Sequence, residues 1–231
     1  MCGRYVLSVS LEELLAYYAL DAAPDLTAAD LPPRYNIPPG TDIPVIRRAP
    51  SGERVLHLLR WGLVPHWSQD ASIGARLNNA RGESVAEKPS FRDAFQRRRC
   101  LIPASGFYEW QTVGKVKQPF YFSAADGQPL ALGGLWESWR HTDGDGDSGL
   151  LRSTCVITTG ANADMAPVHD RMPVLVPRER WADWLAAPTE AIADLLMPAP
   201  AGLLHAWPVD RRMSRTAEDD AALIAPLDKV L

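Results

Sequence analysis

Cysteine is scarce. The chain has three in 231 residues, and three cannot build a disulfide framework without a remainder. No apolar run approaches the roughly 20 residues of a membrane span. The opening Met1-Cys2-Gly3-Arg4-Tyr5 has neither the basic nor the apolar region of a secretion signal. A cytoplasmic chain with no membrane segment and with reduced thiols is therefore expected. Metal-ligand spacing is missing as well. No CxxC or HxH pattern occurs, and His57, His66, His141, His169 and His205 are scattered. Asp143, Asp145 and Asp147 imitate the start of a calcium loop, but the glycine is misplaced and Thr154 stands where the closing Glu belongs. That segment reads as a hydrophilic turn, and neither metal nor cofactor is expected. There is no excess of positive charge. At a formal net charge of -4, bulk electrostatics do not advertise nucleic acid, so any such site must be a local basic groove.

With no repeat, long linker or low-complexity tail, residues 1–231 read as one domain. Residues 8–20 fit a helix, because Ser10 and Glu13 have capping-box spacing and Leu11, Leu14, Leu15 and Tyr18 recur at helical period. Five prolines between residues 32 and 44 predict an irregular loop. Val45–Ile46 and Val55–Leu59 flank Pro50-Ser51-Gly52 as a hairpin. A second Ser-capped helix fits Phe91–Arg98. Strand-length runs follow at Cys100–Ala104, Gly106–Trp110, Pro119–Ser123, Leu130–Trp136, Thr154–Thr159, Met172–Val176 and Leu203–Val209, with turns at Gly114, Asp126-Gly127 and His141–Gly149 and helices near Glu179–Leu185 and Glu190–Leu196. Without regular β-α alternation, this order predicts an α+β fold with a mostly antiparallel, barrel-like β core flanked by helices.

Four clusters carry candidate chemistry. Removal of Met1 turns Cys2 into an N-terminal residue bearing a thiol and an α-amine whose unperturbed pKa is about 7.7–8.0. An aldehyde can form a Schiff base with that amine, and the adjacent thiol can close a thiazolidine ring at high effective molarity. A frayed, inert terminus is the alternative. Asn79 and Arg81 in Asn79-Ala80-Arg81-Gly82-Glu83 suit a polar or phosphorylated ligand, or merely a turn. Glu109, in the apolar strand Gly106-Phe107-Tyr108-Glu109-Trp110, is either a buried acid with a raised pKa or a surface carboxylate. His169, before Asp170-Arg171-Met172-Pro173, is either a general acid-base group or a loop histidine.

Taken together these segments resemble the SOS response-associated peptidase (SRAP), or abasic-site-processing, family. The resemblance runs from Met1-Cys2-Gly3-Arg4 through Arg34-Tyr35-Asn36-Ile37-Pro38-Pro39-Gly40, Trp61-Gly62-Leu63-Val64-Pro65-His66-Trp67, the Asn79 and Glu109 motifs, Val156-Ile157-Thr158-Thr159 and His169-Asp170-Arg171-Met172-Pro173 to Trp207-Pro208-Val209. It implies a single SRAP domain that binds single-stranded DNA, often at a junction with duplex; a monomer acting on damaged DNA in the nucleoid is expected. Cys2 would capture the ring-opened aldehyde of an abasic site as a thiazolidine crosslink. Asn79 would orient the amine and sugar, Glu109 would move protons at the amine, and His169 would assist ring opening and the Schiff base. Failure to close the ring would allow β-elimination.

The same resemblance implies that Arg4, Arg81 and Arg171 grip phosphates and that Asn36, Pro39, Trp67, Trp110 and Thr158 line the groove, where stacking tolerates any base. Two departures from the family pattern stand out. Pro89 replaces an arginine that Lys88 would stand in for, and Asp210 and Met213-Ser214 replace a Ser and a Val-Asn pair. Two other functions fit the same residues: a thiol peptidase acting on the Met1–Cys2 bond or on peptides, and a noncatalytic single-strand-binding module.

Overall fold

The structure is a computed structural model that describes residues 2–20, 23, 26–142 and 148–227. In chain order its elements are β1 (Tyr5–Leu7), α1 (Leu11–Tyr17), β2 (Arg34–Ile37), β3 (Asp42–Arg48), β4 (Arg54–Trp61), β5 (Asn79–Arg81), α2 (Arg92–Arg97), β6 (Arg99–Ala104) and β7 (Gly106–Val113). There follow β8 (Val116–Ala124), β9 (Leu130–Thr142), β10 (Ser148–Gly160), β11 (Arg171–Pro173), α3 (Trp181–Ala186) and β12 (Leu204–Pro208). The capping box forms as its spacing requires: Ser10 Oγ accepts from the Glu13 amide at 3.2 Å and Glu13 Oε2 from the Ser10 amide at 2.7 Å. The helix is shorter than residues 8–20, because Ala19 turns to φ 46° and ends it.

The strands make two sheets. Strands β10, β4, β3, β6 and β9 follow one another, and β9 pairs back onto β10, so this sheet closes on itself. Its joints are antiparallel except β4–β10, which is parallel at Ser153↔Arg60 and Thr154↔Trp61. Strand β10 extends beyond the ring. There β5 continues the β4 edge in parallel and β11 continues the β9 edge antiparallel. The second sheet, β12-β8-β7-β1-β2, is antiparallel throughout. It packs on the ring through a shared core that includes Tyr5, Phe107 and Phe122 with Trp61, Leu101 and Leu132. The Tyr5 and Trp61 rings meet edge to face at 5.5 Å. The fold is thus α+β around a barrel-like, mostly antiparallel core.

Several local expectations are corrected. Residues 32–44 are not one irregular loop, since β2 and the start of β3 lie within them. Pro44 is tolerated because β3 reaches β6 only at Ile46↔Leu101, beyond the proline. Ser90 does not cap α2; Phe91 holds that position with no side-chain bond. Residues Thr189–Leu196 wind as a 3-10 helix. The hairpin at residues 42–61 forms with Val45 opposite His57. The Asp143, Asp145 and Asp147 turn lies outside the described residues, although β9 and β10 pair as far as Ser148↔Thr142 beside it. Among the described residues, no helix is long and apolar enough to cross a membrane, and no group of three or more His, Cys, Asp or Glu could hold a metal ion.

Gly106 opens β7 and so sets the position of Glu109. A methyl group there would collide with the Phe122 carbonyl and the Tyr121 ring. Overpacking against backbone has no cheap relief. Gly106→Ala is expected to cost about 3 kcal/mol of stability, measured by urea denaturation; an unchanged midpoint would contradict this packing.

Candidate functional site

The two sheets bring together four residues that are far apart in the sequence. Cys2 lies ahead of β1. Pairing of Tyr5 with Phe107, and a bond from the Tyr108 amide to Arg4 O at 3.0 Å, run this end of the chain alongside Glu109. From the other sheet comes Asn79, the first residue of β5, opposite Val156 of β10. Its Nδ2 donates to Cys2 O at 2.8 Å. Trp61 Nε1 donates to Asn78 O at 2.9 Å, which fixes the approach to β5. His169 sits just before β11, and its Nε2 is 3.8 Å from Glu109 Oε2. Cys2, Asn79, Glu109 and His169 thus form one connected cluster across the seam between the sheets.

Cys2 is 1% exposed and Glu109 is 2% exposed. Burial pushes the Cys2 thiol well above the ordinary range, and the Glu109 charge pushes it the same way; the positive N-terminus and then the Arg4 backbone amide pull it down by less. The sulfur is therefore a neutral thiol at physiological pH. Asn79 Oδ1 is buried without a hydrogen-bond partner among the described residues. A buried acceptor left unpaired costs about 1–3 kcal/mol, so Asn79 Oδ1 favours a donor brought against it. His169 Nδ1 accepts from the Arg171 amide at 3.0 Å. Asp170 Oδ1 is also 3.0 Å from that nitrogen, but Asp170 is 88% exposed and solvated. The fixed amide therefore decides the tautomer, and the neutral ring carries its proton on Nε2, facing Glu109. The other two thiols lie in the core away from this cluster. Burial pushes Cys100 up to about 12, against a contact with Thr154 Oγ1 at 3.6 Å, and raises Cys155 well above the usual value.

The residues expected to contact DNA divide into two groups. Trp67 is 50% exposed, its Nε1 resting on Pro89 O at 3.4 Å. Arg81 is exposed, and Pro39 and Trp110 are partly so. These surfaces are open to a ligand. Asn36 and Thr158, at 1% and 0% exposure, are buried. Asn36 Nδ2 is spent on the carbonyls of Met213, Arg215 and Glu218. Thr158 faces Ala80 O and Arg171. Arg4 is bound to Asn36 Oδ1 at 2.7 Å and to Met213 O at 3.2 Å. Arg171 is bound to Glu83 and to Thr158 O. The Met213-Ser214 departure is harmless to these bonds, because Arg4 uses the backbone carbonyls of both residues. Asp210 caps the following turn through the Arg212 amide at 2.9 Å. Lys88 is exposed beside Pro89. The sequence assigned no role to Glu83 or Tyr5. Glu83 meets an arginine 88 residues away, which leaves no local signal. The Tyr5 hydroxyl is buried without a hydrogen-bond partner among the described residues.

Residues 1–216 match the family described as SOS response associated peptidase (SRAP). YoqW of Bacillus subtilis (strain 168), named an abasic site processing protein, is 34% identical over 228 residues covering 97% of this chain and 99% of that protein. YedK of Escherichia coli (strain K12), named likewise, is 31% identical, with 98% and 100% covered. HMCES of Xenopus tropicalis, also so named, is 30% identical, with 83% of this chain and 67% of that protein covered. A crystal structure of a Bacteroides thetaiotaomicron protein superposes with a TM-score of 0.86 at 22% identity, covering 98% of this chain and 100% of that one, a likeness of fold.

Because Glu109 is one cause of the raised Cys2 thiol, the rate of Cys2 alkylation in the folded chain is expected to keep rising beyond about pH 8.5, where an ordinary thiol levels off. Glu109→Gln removes one negative charge and is expected to speed alkylation of Cys2 at any fixed pH while leaving Cys100 and Cys155 unchanged. Residue-resolved mass spectrometry checks this; equal Cys2 rates in both proteins would contradict the coupling.

Proposed function

Since the chain belongs to the SRAP family, we propose that it processes abasic sites in DNA, and that Cys2, freed of Met1, captures the ring-opened sugar aldehyde as a thiazolidine crosslink. The observation that carries this reading is the cluster of buried Cys2 and Glu109 with partly buried Asn79 and His169. It joins an amine, a thiol, an orienting amide and two proton-transfer groups in one place. While Met1 is attached, the Cys2 nitrogen is a peptide nitrogen and not a nucleophile. Once freed, the amine has the adjacent Glu109 to take up and return protons, and Asn79 Oδ1 is an acceptor for an amine N–H or a sugar hydroxyl.

The steps balance without a cofactor. His169 Nε2–H hydrogen-bonds the sugar ring oxygen as the C1′–O4′ bond breaks, and Glu109 carries the C1′ hydroxyl proton to that oxygen, giving the aldehyde and a free 4′-hydroxyl. The amine lone pair attacks C1′, and loss of one water gives the Schiff base. The thiol then adds across the C=N bond: sulfur bonds to C1′ and the thiol proton ends on nitrogen. A neutral thiol suits this order, because the amine acts first and ring closure is intramolecular. It suits the thiol-peptidase alternative poorly, since attack on an amide requires a thiolate, which burial and Glu109 both disfavour.

Trp67, Arg81, Pro39 and Trp110 offer exposed or partly exposed surface for the strand flanking the lesion, stacking bases and pairing phosphate. Asn36 and Thr158 act from beneath, holding this surface in shape, as do Arg4 and Arg171 through their protein partners. We take residues 1–231 to act as one domain and as a monomer on single-stranded DNA. A core running from Cys2 to Leu204 supports the single domain.

Incubation with single-stranded DNA bearing one abasic site, followed by a denaturing gel, tests the proposal. A heat-stable shifted band is expected from the protein lacking Met1 and from neither Cys2→Ala nor a chain with a blocked N-terminus. Glu109→Gln is expected to slow the reaction by about 100-fold, the lower range for lost acid-base catalysis. Complete Met1 removal and clear DNA binding with no covalent product would overturn the proposal. Cleavage of peptides in trans would favour the peptidase.

A further inference from the structure

Glu83 is out of place in a groove for phosphate. It lies in the turn Gly82–Ser84 directly after β5, it is half exposed, and its charge stands close to Arg81. Left to itself it would repel a DNA backbone. Its partner accounts for its presence. Arg171 turns both terminal nitrogens onto it, Nη1 to Oε1 and Nη2 to Oε2 at 2.9 Å. The same Nη2 is 2.7 Å from Thr158 O. Thr158 is the residue of β10 that pairs with Arg81 on one edge and Pro173 on the other. The Glu83–Arg171 pair therefore crosses over β10 and ties the end of β5 to the start of β11.

Those strands need a tie. Each is three residues long, too short to be held firmly by its ladder alone. Each delivers one member of the cluster: β5 begins with Asn79, and β11 follows directly on His169-Asp170. Arg171 also acts through its backbone, because its amide donates to His169 Nδ1 at 3.0 Å. A shift of Arg171 would move the donor that fixes the histidine tautomer.

We infer that Glu83 is a positioning residue: its two-pronged grip on Arg171 across β10 holds His169 in its Nε2-protonated form and sets the span between His169 and Asn79. This rests on the reading of Cys2 as the crosslinking centre. The geometry gives Glu83 no contact with the reacting atoms, so its effect falls on the chemical step and not on DNA affinity.

The test uses the full chain, with Met1 removed, carrying Glu83→Gln, Glu83→Asp or Arg171→Lys. Lysine keeps the charge of arginine but not its fork. Crosslinking at saturating abasic-site DNA is expected to slow by about 10–100-fold in Glu83→Gln and Arg171→Lys, the scale of a small misplacement of catalytic groups. Glu83→Asp, which keeps the carboxylate, is expected to recover part of the rate. DNA affinity of Glu83→Gln is expected to stay level or to tighten. In the DNA-free proteins, nitrogen NMR of the His169 ring is expected to show the Nε2-protonated tautomer in the wild type and a mixture in Glu83→Gln. Wild-type crosslinking rates with an unchanged His169 spectrum would overturn the inference and leave Glu83 a mere counter-charge. Loss of affinity with no loss of rate would also overturn it. Should Glu83→Gln fail to fold, the other two substitutions carry the comparison. A wild-type protein that forms no crosslink would overturn the assignment of Cys2, while the NMR comparison would still decide the role of Glu83.

Discussion

Strand β10 is 13 residues long, and each of its edges is divided between two partners. Its first part closes a ring with β4 and β9. Its last part leaves the ring carrying β5 and β11. Because those two edges are thereby fixed a strand's width to either side of Thr158, Asn79 and His169 arrive at the same end of the ring. The antiparallel sheet then lays β1 and β7 across that end and brings Cys2 and Glu109 to meet them. Shorten β10 by one turn of the ladder and the ring still closes, but half of the cluster has nothing to stand on. Burying the seam between the sheets is thus one event with two results: it completes the core around Tyr5, Phe107 and Trp61, and it takes a thiol and a carboxylate out of water together.

The chemistry proposed for the site follows from that burial. Low dielectric surroundings and a neighbouring anion both oppose a thiolate, so the sulfur is a poor first nucleophile. A primary amine at the same residue is different. Glu109 favours its charged form, can accept its proton, and is close enough to His169 for a proton to pass between them through a small movement. In the proposed reaction, electrostatics sets the order: nitrogen first, sulfur second. Protein partners already satisfy Arg4 and Arg171, so the open cationic and stacking surface falls to Arg81, Trp67 and Trp110.

Local physics was legible in the sequence and long-range pairing was not. Ser10 and Glu13 announce α1 because both ends of a capping box lie within four residues. The hairpin of β3 and β4 shows in its turn residues and alternating pattern. Glu109 in an apolar run left open whether its side chain is buried or faces water, and it is buried. What stayed hidden depends on contacts across the chain. The parallel pairing of Asn79 with Val156 has no spacing rule. Asn36, placed in the groove by the family resemblance, meets carbonyls some 180 residues further on. Thr158, placed in the groove by the family resemblance, is buried and faces inward beneath Arg171. The five prolines of residues 32–44 outweighed the strand pattern because proline is costly inside a ladder, yet Pro44 precedes the part of β3 that needs a second neighbour.

The central claim is that amine and thiol of one residue act together on one carbon. Intact mass spectrometry of the protein–DNA product addresses it most directly, with no reducing agent present. The expected mass is that of the chain without Met1 plus the abasic DNA, less one water, with the modification mapped to Cys2. An adduct on a chain that retains Met1, on a lysine, or one that survives only after borohydride reduction would contradict it.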